Sequence, residues 1–556
     1  MPVVSIDALV VGTGFGGIYQ LKKLRDQGLN VIAIDAASDV GGTWYWNRYP
    51  GAMSDTETYL YRYSWDLEDL RSYPWSTRYV YQPEILAYLQ HVTNKYDLRR
   101  HMQFDTELTS AEWNDSAKRW IVTTSTGTIF KTRYLVSALG LLSRQNLPDY
   151  EGIKDFVGDM YHTGNWPGGV DIKGKRVGVI GNGSTGVQVI TAIAKDVSKL
   201  VSFQRNPQYS VPSGQGPVTE AYRKAIIEKY PKIWEDAKDN SLFGFGFKET
   251  DRQTFSVSEE EREEIYEQAW QKGGGFRFMF ETFGDISVDE AANNAATNFI
   301  KRKIFATVKD PEKARKLIPT QLYARRPICD AGYYEQFNLD HVEVVSLQET
   351  PIVQFTSKGI VTSDGAEHEL DVVVFATGFD AVDGNYTRIA IKGRDGETLK
   401  DHWQHQGSTS YLGLSVPDFP NMFMILGPNG PFCNLPPAIE TQVEFISNII
   451  EEAERRAKKA TPAALVSSAH TNRTRSEVEC SNEPVIEATK AAEDEWTDVC
   501  DKLSADSLFR KTDSWIFGSN ISGKKHAVLF YFAGISAYRK VLNDVVQGNY
   551  KGFRPF

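Results

Sequence analysis

Apolar and polar positions fall twice into the same order along the chain: a short unbroken apolar run, a glycine turn, an amphipathic stretch and a second apolar run. The first copy is "ALVVGTGFGGIYQLKKLRDQGLNVIAIDAA". Its pattern predicts a buried strand over Ala8–Val11, a helix over Ile18–Gln27 and a second strand ending at Asp35. The second copy is "GKRVGVIGNGSTGVQVITAIAKDVSKLVSFQRNP", with strands over Val177–Ile180 and Leu200–Gln204. Each copy reads as a βαβ unit of a parallel sheet. "RYLVSALGLLS" and "DVVVFATGFDA" add two further strands that run into glycine turns. Between Pro217 and Ile318 the texture turns helical and aromatic-rich, with Ser258 and Glu261 spaced as a capping box. "SEEEREE" and Glu451–Lys459 read as solvated helix faces.

The glycine spacing gives both units a chemistry. Gly12 permits a tight turn, Gly14 lets the backbone approach a pyrophosphate, and Gly17 completes the pattern at the start of the helix. Gly181, Gly183 and Gly186 repeat the arrangement. A helix N-terminus with free N–H groups is a ready anion site. The units differ at the end of the second strand. Asp35 is placed to accept hydrogen bonds from ribose hydroxyls, whereas the second unit ends in Gln204 and Arg205. An acid would repel a 2′-phosphate and an arginine can pair with it. The first site therefore suits FAD and the second NADPH. The fold class expected is α/β, with two Rossmann-like domains, one for FAD and one for NADP, and a helical insertion in the latter.

Composition narrows the picture. The 556 residues call for two or three domains. With 41% hydrophobic and 24% charged residues the chain is ordinary for a globular protein. A net charge of -10 argues against nucleic-acid binding. Cys329, Cys433, Cys480 and Cys500 form no metal-type or redox pair, and no HExxH occurs, so no metal is expected. No run is long enough to span a bilayer. The start "VSIDALVVG" reads as a strand and not as a signal peptide. A cytoplasmic enzyme, monomeric or weakly oligomeric, is the expectation.

Two spans are more specific. "GGTWYWNRYPGAMSD" satisfies [AG]GxWxxxx[FY]P[GM]xxxD through Gly41, Gly42, Trp44, Tyr49, Pro50, Gly51 and Asp55. "FVGDMYHTGNWP" satisfies FxGxxxHxxxW[PD] through Phe156, Gly158, His162, Trp166 and Pro167. Together with the flanking glycine turns, the chain resembles the type I Baeyer–Villiger monooxygenases. "QPEIL", "ATGFDA", "GPNGPFCNLPPAIETQVEFI", "DSWIFG" and "YKGF" resemble the cyclohexanone monooxygenase group. The resemblance implies an enzyme that uses NADPH, FAD and O2 to convert a ketone to an ester or lactone through a C4a-peroxyflavin. Cyclic ketones are the first expectation. It also implies the arrangement of domains. FAD-binding parts are expected over 1–140 and 383–556, NADP-binding parts over 141–217 and 330–382, and the insertion over 218–329.

By the same resemblance the adjacent arginines of "YARRPICD" divide their work. Arg326 corresponds to the catalytic arginine beside the flavin, with Asp55 as the acid that positions it. A guanidinium does not titrate near neutral pH, so its charge suits an anionic oxidant. Arg325 stands where relatives commonly carry lysine and is expected to face the NADPH 2′-phosphate with Arg205 and Asn206. Phe15, Thr43, Trp44, Tyr61 and Leu108 are expected to contact FAD. Asn182, Ser184, Thr185, Gln188 and Trp515 are expected to contact NADP, Trp515 from a mobile loop. Met53 and Ser54 replace a more usual Arg-Cys, which leaves a side-chain role there open. His162 is expected to act as a structural or conformational residue of the linker. Phe432, Cys433 and Leu435 are expected to line the ketone pocket, Cys433 as a small apolar wall.

Three other readings compete. Flavin N- or S-monooxygenases share both glycine turns but lack the first fingerprint and the "RRP" arginine. A flavin disulfide reductase needs paired cysteines, which are absent. A non-catalytic redox sensor has no need of Asp55 and Arg326 together.

Overall fold

The structure is a computed structural model that describes residues 2–404, 406–460, 483–521 and 523–556. Cys480 lies outside the described residues. Two sheets, the first mixed and the second wholly parallel, carry the two glycine turns. The first has eight strands. Its centre is Val3–Val11, hydrogen-bonded in parallel to Val31–Ile34 on one side and Ile129–Ser137 on the other. Met102–Gln103 extends one edge and the antiparallel pair Leu108–Asn114 and Arg119–Thr124 extends the other. Two late segments join the same sheet: Ala390–Lys392 pairs with Leu108–Asn114, and Met422–Met424 pairs with Ile129–Ser137. The sheet is thus built from both ends of the chain.

The second sheet is five-stranded and wholly parallel, in the order Val342–Ser346, Lys199–Gln204, Arg176–Ile180, Val372–Phe375, Asp159–His162. Its inner strands are buried on both faces, as their unbroken apolar runs require. The helical region enters and leaves beside itself, because Ser210–Pro212 pairs in parallel with Ile328–Asp330. Between them lie helices Glu220–Asp239, Glu259–Lys272, Gly275–Phe280, Glu290–Thr307 and Pro311–Leu317. Ser258 caps Glu259–Lys272 by accepting from the Glu261 N–H at 3.2 Å. The helix face carrying Glu259, Glu260 and Glu261 is exposed.

Both glycine turns are shaped by the same close approach. A Cβ on Gly12 would sit 2.4 Å from the Ala138 carbonyl oxygen, and one on Gly181 would sit 2.4 Å from that of Ala376. In each unit the first glycine, at the end of the strand before the turn, is pressed against a neighbouring strand end, so no side chain fits. The helices begin at Phe15 and Ser184, three residues past the first glycine of each turn. The strand Val3–Val11 begins five residues before the apolar run. Exposed Val3 and Ser5 still pair with Ile129 and Lys131, so pairing rather than burial sets that boundary.

Candidate active site

A cavity of about 400 Å³ opens over the first glycine turn. It is lined by Gly12, Gly14 and Phe15 from the turn, by Thr43, Trp44 and Tyr61 from the fingerprint segment, and by Asp35 and Leu108. No side chain caps the helix Phe15–Asp26, whose N-cap is Gly14. Its first N–H groups therefore face a ligand-sized space with the positive end of the helix dipole behind them. The size lies in the range of cofactor pockets. These residues fit a dinucleotide. Gly17 is not in the lining: a Cβ there would lie 1.8 Å from the Gly12 carbonyl oxygen, so it serves the contact between helix and turn.

Asp35 is more committed than its position suggests. It accepts from the Thr13 N–H at 2.6 Å, the Thr13 hydroxyl at 2.7 Å and the Ala37 N–H at 2.9 Å. Burial raises its pKa despite these bonds. It clamps the glycine turn, and one further acceptor direction remains for a hydroxyl. Other lining residues come from places without a sequence signal: Arg388 and Ile389, and Ile425. Thr13 and Gly16 in the glycine turn, Trp46, Asn47, Gly164 and Asn165 in the two fingerprints, and Leu139 and Gly140 in the later glycine turn lay inside recognised motifs without being singled out. Leu435 lines this same cavity with Pro436 and Ile439, at the start of the helix Leu435–Ala460.

The second turn touches the fingerprint segment directly. Gln188, on the helix Ser184–Ile193, accepts from the Tyr49 hydroxyl at 2.7 Å and donates to the Met53 carbonyl at 3.1 Å. The Met53 N–H donates back to the same amide at 3.4 Å. Gly51 makes this contact possible: its φ is +82° and a Cβ would lie 2.6 Å from the Gln188 carbonyl oxygen. The Ser184 helix also lacks a side-chain cap, its N-cap being Gly183. Asn182 donates to Gln204 at 3.0 Å, and Asn206 accepts from Gln348 at 2.7 Å. Burial raises the Tyr49 pKa, and a hydrogen bond with Thr185 works against it.

The two arginines diverge. Arg326 donates both terminal nitrogens to Asp55, through Nη1 to Oδ2 and through Nη2 to Oδ1 at 2.9 Å. Its guanidinium also lies 5.3 Å from the centre of the Phe276 ring. Burial pulls its pKa down, but the Asp55 charge and hydrogen bonds more than offset this and raise it. Tyr61, in the cavity wall, feels the charges of both Asp55 and Arg326. The ion pair therefore stands within electrostatic reach of Tyr61, although neither side chain lines the first cavity. Arg325 turns to Gln321, and its buried Nε has no partner among the described residues. Burial lowers its pKa, Arg205 lowers it further, and Asp513 works against both. Two cations that repel one another around an unsatisfied buried donor fit a phosphate. Both arginines line a small cleft with Tyr209, Tyr323 and Gln321.

The remaining candidates lie nearby. Thr512 donates to the Ala324 carbonyl at 2.6 Å, so the segment of Asp513 and Trp515 packs beside the arginines. Half-buried Trp515 sits edge-on to Phe530 at 5.7 Å. Buried Phe432 belongs to an aromatic cluster with Phe243, Phe276, Phe509, Phe530 and Phe532. Burial pushes the Cys433 thiol up, which keeps it protonated. His162 is buried, accepts from the Gly164 N–H at 3.0 Å and packs edge-on to Phe379. Burial lowers its pKa to about 4, so the ring is neutral.

Comparison with known proteins decides the reading. Residues 7–211 match the flavin-binding monooxygenase-like family. A Baeyer–Villiger monooxygenase of Pseudooceanicola batsensis is 50% identical over 547 residues, covering 98% of this chain and 95% of the relative. The chain belongs to the Baeyer–Villiger monooxygenase family. It is an FAD- and NADPH-dependent enzyme that inserts one oxygen atom of O2 beside a ketone carbonyl. A phenazine N-monooxygenase of Lysobacter antibioticus is 49% identical over 548 residues, with 98% and 96% coverage. A crystal structure of cyclohexanone monooxygenase from Rhodococcus sp. Phi1 bound to NADP+ is 53% identical, with a TM-score of 0.93 over 100% of this chain and 99% of that one. Among the described residues, no helix is long and apolar enough to cross a membrane, and no group of three or more His, Cys, Asp or Glu could hold a metal ion.

Proposed function

We propose that this monooxygenase acts on small cyclic ketones and that Arg326, held by Asp55, is its catalytic cation. The observation that carries the reading is the two-bond ion pair within electrostatic reach of Tyr61, a wall residue of the cavity over the first glycine turn. FAD would be held by Gly12, Gly14, Phe15, Asp35, Thr43, Trp44, Tyr61 and Leu108. When bound and reduced it supplies the electrons and the activated oxygen. NADPH would be held by the Ser184 helix start, Gln188, Arg205, Asn206, Arg325 and Trp515. The first sheet is then the FAD domain, the second the NADP domain, and the helices between Ser213 and Pro327 the insertion.

The chain's own contribution is electrostatic. Oxygen transfer to a carbonyl builds negative charge on oxygen, and a fixed positive group in a low-dielectric site stabilises that charge without reorganising. Asp55 keeps the guanidinium oriented and charged. The aromatic cluster around Phe432 excludes water and favours an apolar ring. Cys433 stays a thiol and takes no part as a nucleophile. Three described cysteines are free, which agrees with a cytoplasmic location, and we propose a monomer or weak oligomer.

The phenazine N-monooxygenase, at 49% identity, favours one other reading, N-oxidation of a planar heterocycle. Feeding FAD-loaded protein with NADPH, air and either cyclohexanone or phenazine separates the two. The ketone reading expects a lactone from the first and faster turnover than with the second. N-oxide from phenazine with no lactone would reverse the assignment.

A further inference from the structure

Arg326 is flanked by two groups that come from different parts of the chain. Asp55 is the last residue of the first fingerprint, and Phe276 lies on the insertion helix Gly275–Phe280. What keeps these two elements in register is Glu57, two residues beyond Asp55. Its side chain is only 6% exposed. Oε1 accepts from Arg78 at 2.9 Å and from Arg277 at 3.1 Å, and Oε2 accepts from the Tyr222 hydroxyl at 3.1 Å. Arg277 is the neighbour of Phe276. Its other terminal nitrogen donates to Glu281 at 2.9 Å, and its guanidinium lies 5.4 Å from the Phe247 ring. Arg78 donates to the Lys272 carbonyl at 2.5 Å, one turn before that same helix. One buried carboxylate therefore ties the Asp55 segment to the helix that carries the Arg326 ring contact.

We propose that Glu57 is a positioning residue for oxygen transfer: it fixes the distance between Asp55 and Phe276 and so the pose of the Arg326 guanidinium between them. The proposal rests on the reading of Arg326 given above. Without the Glu57 charge, the half-buried Arg78 and Arg277 are left near one another with like charge, only Arg277 keeping a carboxylate in Glu281, which loosens the helix from the segment. A displacement of about 1 Å can cost on the order of 100-fold in rate, so a smaller loosening of a preorganised cation is enough to lower oxygen transfer measurably. NADPH binding and flavin reduction use other residues and are spared.

The test uses FAD-loaded protein with NADPH, air and cyclohexanone, and compares wild type, Glu57→Gln, Arg277→Gln, Glu281→Gln and Arg326→Ala. At matched FAD content and well below the unfolding temperature, lactone formed per NADPH consumed is the readout, with peroxide as the balance. Glu57→Gln and Arg277→Gln are expected to lower that ratio at least threefold while the KM for NADPH stays within twofold. Glu281→Gln, which leaves Arg277 bonded to Glu57, is expected to keep it. A folded Glu57→Gln with the wild-type ratio overturns the proposal. If Glu57→Gln does not fold, Arg277→Gln decides in the same way, since Glu57 there keeps Arg78 and Tyr222. Lactone from Arg326→Ala at the wild-type ratio would sink the underlying reading. Loss in Arg326→Ala alone would sink only the role of Glu57.

Discussion

Arg326 and Asp55 lie 271 residues apart in the chain and meet through two parallel hydrogen bonds, Nη1 to Oδ2 and Nη2 to Oδ1. The fork geometry holds the guanidinium plane as well as its charge, which a lysine could not do. Everything proposed about oxygen transfer turns on this pair.

Removing the cation should separate the two halves of the reaction. Arg326→Ala is expected to consume NADPH and release peroxide while its lactone rate falls by at least 100-fold, the scale seen when one oxyanion donor is lost. Product analysis by mass, with NADPH loss followed by absorbance, checks this.

The cations near the second turn should read the 2′-phosphate. Arg205→Ala and Arg325→Ala are each expected to raise the KM for NADPH roughly 10-fold or more, the size of a charged hydrogen bond. The KM for NADH should stay within about twofold, since nothing is lost that NADH uses. Parallel titrations with the two nucleotides decide it.

Gly51 should tolerate no side chain. Gly51→Ala places a methyl 2.6 Å from the Gln188 carbonyl and 2.7 Å from the Ala192 Cβ, at a φ of +82°. Overpacking and left-handed strain together are expected to cost about 2 kcal/mol or more. Thermal unfolding should shift down, and the KM for NADPH should rise because the Gln188 helix is displaced.

His162 should set part of the acid limit of stability. Its pKa falls from 6.5 to about 4 because the ring is buried. Between those values the unfolded chain binds a proton that the folded one does not. Stability from this group is therefore fully present above pH 6.5 and is lost as pH falls towards 4, by up to about 1 kcal/mol per pH unit. His162→Gln should flatten the dependence of unfolding temperature on pH across this window. His402 acts oppositely: burial alone would lower its pKa, but the Glu493 carboxylate raises it overall. Its stabilisation is present below pH 6.5 and fades as pH rises through the raised value.

The two sheets and their glycine turns were legible in the sequence because each rests on short-range constraints. Gly12 and Gly181 must admit a neighbouring carbonyl, and the strand runs before them must be apolar on both faces. The Ser258 cap was legible for the same reason. The strand start at Val3 was hidden, because its exposed residues are held by pairing with a strand more than a hundred residues away. Asp35 was legible as an acid at the right place, but not as a clamp on Thr13, which depends on side-chain reach. Phe276, Arg277 and Glu57 carry no motif. Their meeting is a product of the insertion folding back onto the fingerprint segment. The walls contributed by Arg388, Ile389 and Ile425 arise because late strands rejoin the first sheet.

The most direct test of the central claim follows oxygen itself. Purified FAD-loaded protein would be given NADPH, cyclohexanone and 18O2, and the organic product weighed by mass spectrometry. The expected product is a lactone that carries one labelled atom, formed in step with NADPH loss. NADPH consumption that yields only labelled peroxide or water, with no labelled lactone from cyclohexanone or any other cyclic ketone, would contradict the claim.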